Sequence, residues 1–273
     1  MIDVKRLIGL IAVAGTLCGT AAAGDDDRES AKRVEELAGH YDFFADAGVK
    51  TKFERHREPL LKYTNPVRGE VYGNVFVWTH QGRPVVIGAV FDYRSEGTLY
   101  AELHTLSRPG VVGRRDGKEF WKPAAAGVAF KPVPGAPAPA ATEKARVLQM
   151  RELSRGFSVE RDHPEHKKEA LRLLAQPLFR YASPKTDTPD GAIFAFVDAT
   201  TDPETYLLLE ASGGDKPAWR FAFARVNIVE FRAEYKGEVV WRVEPVEWGA
   251  VYDRHEPYAI VREKPSRGLE RKP

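Results

Sequence analysis

The chain has 273 residues, 43% of them hydrophobic, with 41 lysines and arginines against 39 acidic residues and one cysteine. A net charge of +2 provides no basic footprint for nucleic acid or for an anionic membrane surface, and a single thiol excludes an intramolecular disulfide. The apolar content is sufficient for one large core or two small ones.

Lys5 and Arg6 form a basic start, residues 7–14 an apolar run too short to span a bilayer, and Ala21-Ala22-Ala23 a small-residue cleavage site. Residues 1–23 therefore read as a cleaved secretory signal peptide, with a secreted or periplasmic mature chain starting at about Gly24. An uncleaved anchor is the alternative, opposed by the acidic flank Asp25-Asp26-Asp27, and Leu17 argues against lipid attachment at Cys18. Cleavage would remove the only cysteine and leave 39 basic residues facing 38 acidic ones, since Lys5, Arg6 and Asp3 go with the leader. No later segment is apolar enough to cross a membrane.

Ala31, Val34, Leu37, Ala38 and Tyr41 recur at helical spacing. Residues 71–79, 84–93 and 98–106 are rich in β-branched and aromatic residues and read as strands, separated by the turns Gln81-Gly82-Arg83-Pro84 and Ser95-Glu96-Gly97. The Ala/Pro-rich stretch 123–141, with Pro132, Pro134, Pro137 and Pro139, suits neither a helix nor a central strand, and its 126–141 portion is expected to be a linker. Thr142 is placed to cap a helix running through Leu148 and Leu153 to a stop at Gly156. Further strands are expected at 192–197, 205–210 and 218–226, with a turn at Ser212-Gly213-Gly214-Asp215. Residues 251–273 form a C-terminal extension whose tail from 262 is basic, poor in apolar residues and expected to be disordered.

An internal repeat runs through this pattern. Glu58-Pro59-Leu60-Leu61-Lys62-Tyr63 aligns with Gln176-Pro177-Leu178-Phe179-Arg180-Tyr181 at an offset of 118, and Gly117 to Trp121 answers Gly237 to Trp241 at 120. The expected fold is α+β, with two tandem related units at 25–125 and 142–250, each an N-terminal helix followed by an antiparallel β-meander. Pro59 and Pro177 place their segments on edge or bulged strands.

The runs Asn65-Pro66-Val67-Arg68-Gly69-Glu70-Val71-Tyr72-Gly73, Gly82-Arg83-Pro84, and Glu102-Leu103-His104-Thr105-Leu106-Ser107 resemble a family of uncharacterised secreted bacterial proteins. Pro177 to Tyr181 and Tyr235 through Trp241 resemble its second half. The resemblance implies export and carries no activity.

Glu102, His104 and Ser107 are the candidate catalytic residues, because alternation puts Tyr100, Glu102 and His104 on one strand face, where a carboxylate orients an imidazole base. Their expected counterparts in the second unit are Trp219, Phe221 and Phe223; a one-residue difference between hairpin loops would swap the faces and leave the cluster in solvent. Asp162-His163-Pro164-Glu165-His166 has two imidazoles three residues apart but no third donor, and reads equally as a helical turn or a hairpin. Of the tryptophans, Trp78 and Trp248 are candidate ligand platforms, although Trp78 is answered by Phe196 and Trp121 by Trp241, as core aromatics would be. No motif implies a cofactor or a metal. The leading expectation is a non-catalytic exported module for an envelope protein, polymer or small ligand; the alternative is a hydrolase with His104 as general base.

Overall fold

The computed structural model describes residues 25–45, 51–67, 69–107, 110–163 and 167–263, so the expected signal peptide and residues 264–273 lie outside it. The fold is mixed, with two helices and many antiparallel strands.

Helix α1 (Asp25–Gly39) buries Ser30, Val34, Leu37 and Ala38 along one stripe. Its acidic first residues form the first helical turn, where negative charge complements the unpaired amides. Ser30 and Arg33 donate to the buried Asp92 carboxylate and fasten the helix to the sheet. Strand β1 (Tyr41–Ala45) follows directly. Next come β2 (Glu54–Arg55), β3 (Leu61–Asn65), β4 (Val71–His80), β5 (Arg83–Tyr93) and β6 (Thr98–Thr105), which form one large sheet with β2 and β3 both on the outer side of β4. Pro59 falls in the break between β2 and β3, as a residue without an amide donor must at a sheet edge. Strands β7 (Val111–Arg115) and β8 (Lys118–Trp121) join β1 in a small sheet ordered β1-β7-β8.

The stretch expected to be a linker is docked on the fold. It carries β9 (Lys131–Pro132), paired with Phe221 and Arg220, and buries Val133, whose amide donates to the Trp219 carbonyl oxygen at 2.9 Å. Proline confines this strand to two residues at an edge. Helix α2 (Glu143–Arg155) begins where Thr142 accepts a hydrogen bond from the Ala145 amide and stops at Gly156. Then follow β10 (Phe157–His163), β11 (Lys167–Ala170), β12 (Arg172–Leu173), β13 (Phe179–Ser183), β14 (Thr188–Val197), β15 (Pro203–Ser212), β16 (Ala218–Arg225), β17 (Glu230–Tyr235) and β18 (Glu238–Val243). The second large sheet has β12 and β13 on β14, then β15, β16 and β9; the second small sheet is ordered β11-β10-β17-β18. His163 pairs with Lys167 in the β10–β11 hairpin, while Pro164, Glu165 and His166 lie outside the described residues.

Strand β19 (Tyr258–Glu263) returns to the first half and pairs with β6. The tail expected to be disordered from residue 262 is therefore ordered through Glu263, whose buried carboxylate accepts from the Tyr41 hydroxyl at 2.9 Å and pairs with Arg115.

Strands β4 and β14 are almost wholly buried, and alternation sends their side chains to different cores. Phe76 and Trp78 join the core under α1 and the small sheet, and Phe194 and Phe196 the core under α2. Val75 and Val77 meet Ile193 and Ala195 in a third core, shared by the two large sheets. That third interface positions the site.

Candidate functional site

A cleft of about 560 Å³ opens between the first large sheet and the second half's segment around Asn227–Val229 and Pro245–Trp248. Its sheet side presents Phe91, Tyr93 and Tyr100: the Phe91 and Tyr100 rings stack at 5.4 Å, and Tyr93 stands edge-on to Tyr100 at 6.3 Å. Trp248 lies on the opposite lip, 55% exposed, its ring edge-on to Tyr252. Phe91, Tyr93 and Tyr100 are half-buried, and such aromatics lining a concave site offer apolar surface to a ligand.

Glu102 lies where the cleft meets a smaller recess of about 130 Å³ that is also lined by Tyr63, Asp202 and Glu204. Its carboxyl is partly buried and is pushed well above the usual carboxylate range, first by burial and then by the charges of Asp202 and Glu204. The Tyr258 hydroxyl is the neighbour that favours its ionised form, though that hydroxyl makes no hydrogen bond of ordinary geometry. Glu204 is held by Arg161 and by Asn227, which donates at 3.0 Å; Asp202 accepts from Asn65 at 3.0 Å. Burial and the neighbouring acids also raise the Tyr63, Tyr206 and Tyr258 phenols well above their ordinary value.

The three residues proposed for catalysis do not converge. His104 is 6% exposed, its Nδ1–H donates to the Thr105 carbonyl oxygen at 2.8 Å, and its ring lies against Tyr258. Burial lowers its pKa to about 4, so the imidazole is neutral. Ser107 sits beyond the strand end with Oγ 3.3 Å from Thr105 Oγ1. Among the described residues no hydrogen bond links His104 to Glu102 or to Ser107. Trp78 is 1% exposed and packs edge-on to Phe43, so it is a core residue, whereas Trp248 is on the cleft.

The expected correspondence of Tyr100, Glu102 and His104 with Trp219, Phe221 and Phe223 is corrected by the register. Val75 lies opposite Ala89 and Ala89 opposite Glu102, while Ile193 lies opposite Leu208 and Leu208 opposite Ala222. The same path leads from His104 to Ala224. With Val75 set against Ile193, as the repeat's offset of 118 has them, the two hairpin connections together add one residue more than the expected pairing allowed, and a one-residue slip exchanges faces. The exchanged face is not solvated, because the second sheet covers it: Ala222 and Ala224 lie in the shared core.

Asp202, Glu204, Asn227 and Tyr258 were not singled out from the sequence. The available signal was acidic residues at the start of an otherwise apolar strand, Pro203–Ser212, where a buried carboxylate needs a partner. Comparison of this chain with protein-family models, curated proteins and solved structures finds no match to any of them.

Proposed function

We propose that the protein is an exported, non-catalytic module that binds a small organic ligand in the aromatic cleft between its two halves. The observation that carries this reading is the half-buried aromatic wall of Phe91, Tyr93 and Tyr100 in a cleft of about 560 Å³ that Trp248 also lines, with the Glu102 carboxyl where it meets the recess. A hydrolase relay has no comparable support, since the His104 Nδ1–H is committed to the Thr105 carbonyl. Export rests on the leader pattern of residues 1–23, and N-terminal sequencing of protein recovered from the envelope tests it by its start near Gly24.

In this reading the halves descend from one duplicated unit that pairs with its own copy. The motive is reciprocity of the kind a two-fold interface requires. Asn65 at the end of β3 donates to Asp198 and Asp202 in the β14–β15 connection, at 3.2 and 3.0 Å. Ser183, at the end of β13 and 118 residues later, donates to the Gln81 carbonyl oxygen in the β4–β5 turn at 2.9 Å. Duplication explains why the cleft is walled by both halves: divergence at one end of a symmetric interface leaves a site there and plain packing at the other.

The test is a fragment panel of neutral, anionic and cationic small molecules, read by ligand-observed NMR on the protein and on Val246→Trp, whose indole fills the cleft. Binding lost in a Val246→Trp protein that melts as the parent does is the expected result. Fragments that bind both proteins equally, or none that bind at all, would sink the ligand-binding reading.

A further inference from the structure

Three features of the cleft bear on the charge of its ligand. First, Glu96, Glu102 and Glu247 line the cleft, and Asp202 and Glu204 the recess behind it, while neither lining contains a lysine, arginine or histidine among the described residues. In a chain of net charge +2 this concentrates acid in one concavity, where low-dielectric walls focus the field.

Second, the acids are unequally compensated. Glu204 has Arg161, and Glu96 has the Tyr100 hydroxyl at 2.8 Å with Arg262 at 3.9 Å. Glu102 has no basic neighbour among the described residues; the charges that act on it are the carboxylates of Asp202 and Glu204. Two buried phenols lie within electrostatic reach of the same group: Tyr206, 1% exposed, and Tyr258, 4% exposed, the latter its hydroxyl neighbour. A carboxyl without a basic partner at the inner end of an open cleft marks the place of a ligand that can supply one.

Third, the walls are aromatic faces of the kind that attract cations, and one already does so. The Arg262 guanidinium lies over the Tyr100 ring at 5.9 Å. Phe91, stacked on Tyr100, and Trp248 on the opposite lip extend that electron-rich surface into the cleft.

We infer that the cleft binds a small organic cation, an amine or quaternary ammonium, caged by Phe91, Tyr100 and Trp248 with Glu102 as its counter-charge. The inference rests on the ligand-binding reading above and adds the ligand's charge to it. A cation satisfies each feature at once: the ammonium group favours the ionised form of Glu102, whose proton leaves to solvent on binding, and its apolar substituents lie on the rings. A neutral ligand leaves Glu102 without a counter-charge, and an anion adds repulsion.

The probe is choline, compared with its uncharged carbon analogue in which a tert-butyl group replaces the trimethylammonium, within a panel of such matched pairs. Affinities are measured by ligand-observed NMR titration on the protein, on Glu102→Gln and on Val246→Trp. The expected result is that cationic members bind at least about tenfold more tightly than their neutral partners, and that Glu102→Gln brings the ratio close to one without weakening the neutral partner. A Glu102→Gln protein that does not fold is replaced by Glu247→Gln on the exposed rim, for which the ratio falls about twofold. Neutral members that bind as tightly as cationic ones, or a ratio unchanged in these variants, overturn the cationic inference alone, provided binding is lost in Val246→Trp. Absence of any cleft-dependent binding overturns the ligand-binding reading itself.

Discussion

Arg83 of the first large sheet donates two hydrogen bonds, each 2.9 Å long, to the two carboxylate oxygens of Glu210 in the second. Glu210 is fully buried and also accepts from the Tyr181 hydroxyl at 2.9 Å, with Arg220 at 3.6 Å. The pair ties strands 127 residues apart in the chain, at the interface whose shared core holds the halves together.

Removing the guanidinium strands a buried charge, which typically costs more than the intact pair contributes. Arg83→Met should therefore destabilise the protein by about 2–4 kcal/mol, the lower end reflecting the partners that remain on Glu210. Adding Glu210→Gln should recover part of that loss. Chemical denaturation of the two single variants and the double variant measures the coupling, and simple additivity would contradict it.

Two glycines make room for two tyrosines. Gly73 pairs with Tyr63 and Gly191 with Tyr181, and a Cβ at either glycine would overlap the facing ring. Gly73→Ala and Gly191→Ala should each cost about 1–3 kcal/mol, because the ring must leave its place over the strand. If the cost comes from that ring, Tyr63→Ala and Gly73→Ala together should cost less than the sum of the two. Additive losses would mean that the glycines matter for some other reason.

His104 makes stability fall in mild acid. Its folded pKa, about 4, is depressed below the ordinary 6.5, so the unfolded chain binds a proton across that window and the native state does not. Stability is full above about 6.5 and falls as pH drops through the window, by roughly 3 kcal/mol in all. In His104→Phe, whose ring can take the imidazole's place against Tyr258, this part of the acid sensitivity should vanish. Melting temperatures that fall in parallel for both proteins between those pH values would show that His104 is not the source.

Glu102 acts with the opposite slope. Its carboxyl, surrounded by Asp202, Glu204, Tyr63, Tyr206 and Tyr258, is held protonated above its ordinary value of 4.5, so as pH rises the unfolded chain loses that proton while the native state keeps it. Stability contributed by this group is full below about 4.5 and is lost as pH climbs towards the raised folded value. Glu102→Gln cannot lose a proton, and should gain on the parent steadily from acidic to mildly alkaline conditions. A stability difference that stays constant with pH would show that Glu102 is ionised in the native protein.

Much of the local structure was legible because it depends on neighbours in the chain. Thr142 starts α2, since a side-chain acceptor there meets a need the helix creates by itself, whereas Gly156 at its end has ordinary helical dihedrals and makes room for the Tyr235 ring. Residues 71–79 and 192–197 announced strands, and the prolines at 59 and 177 announced edge or bulged segments; that both faces of those strands are covered was not legible. The face of Glu102 was not legible. It turns on one residue across two hairpin connections, and a strand's alternation is the same whichever face is buried. Nor could composition reveal that a Pro-rich stretch would dock as a strand beside Phe221, or that the chain's last described residues would close the sheet at His104. The cleft is the furthest from reach: Phe91, Glu102, Glu204, Asn227 and Trp248 meet only because two sheets pack face to face. Helix caps and strand alternation are written within a few residues, so the sequence alone determined them; which faces meet, and what lies between them, depends on contacts between distant residues, so only the tertiary structure decided that the acid of β6 would stand in an aromatic cleft.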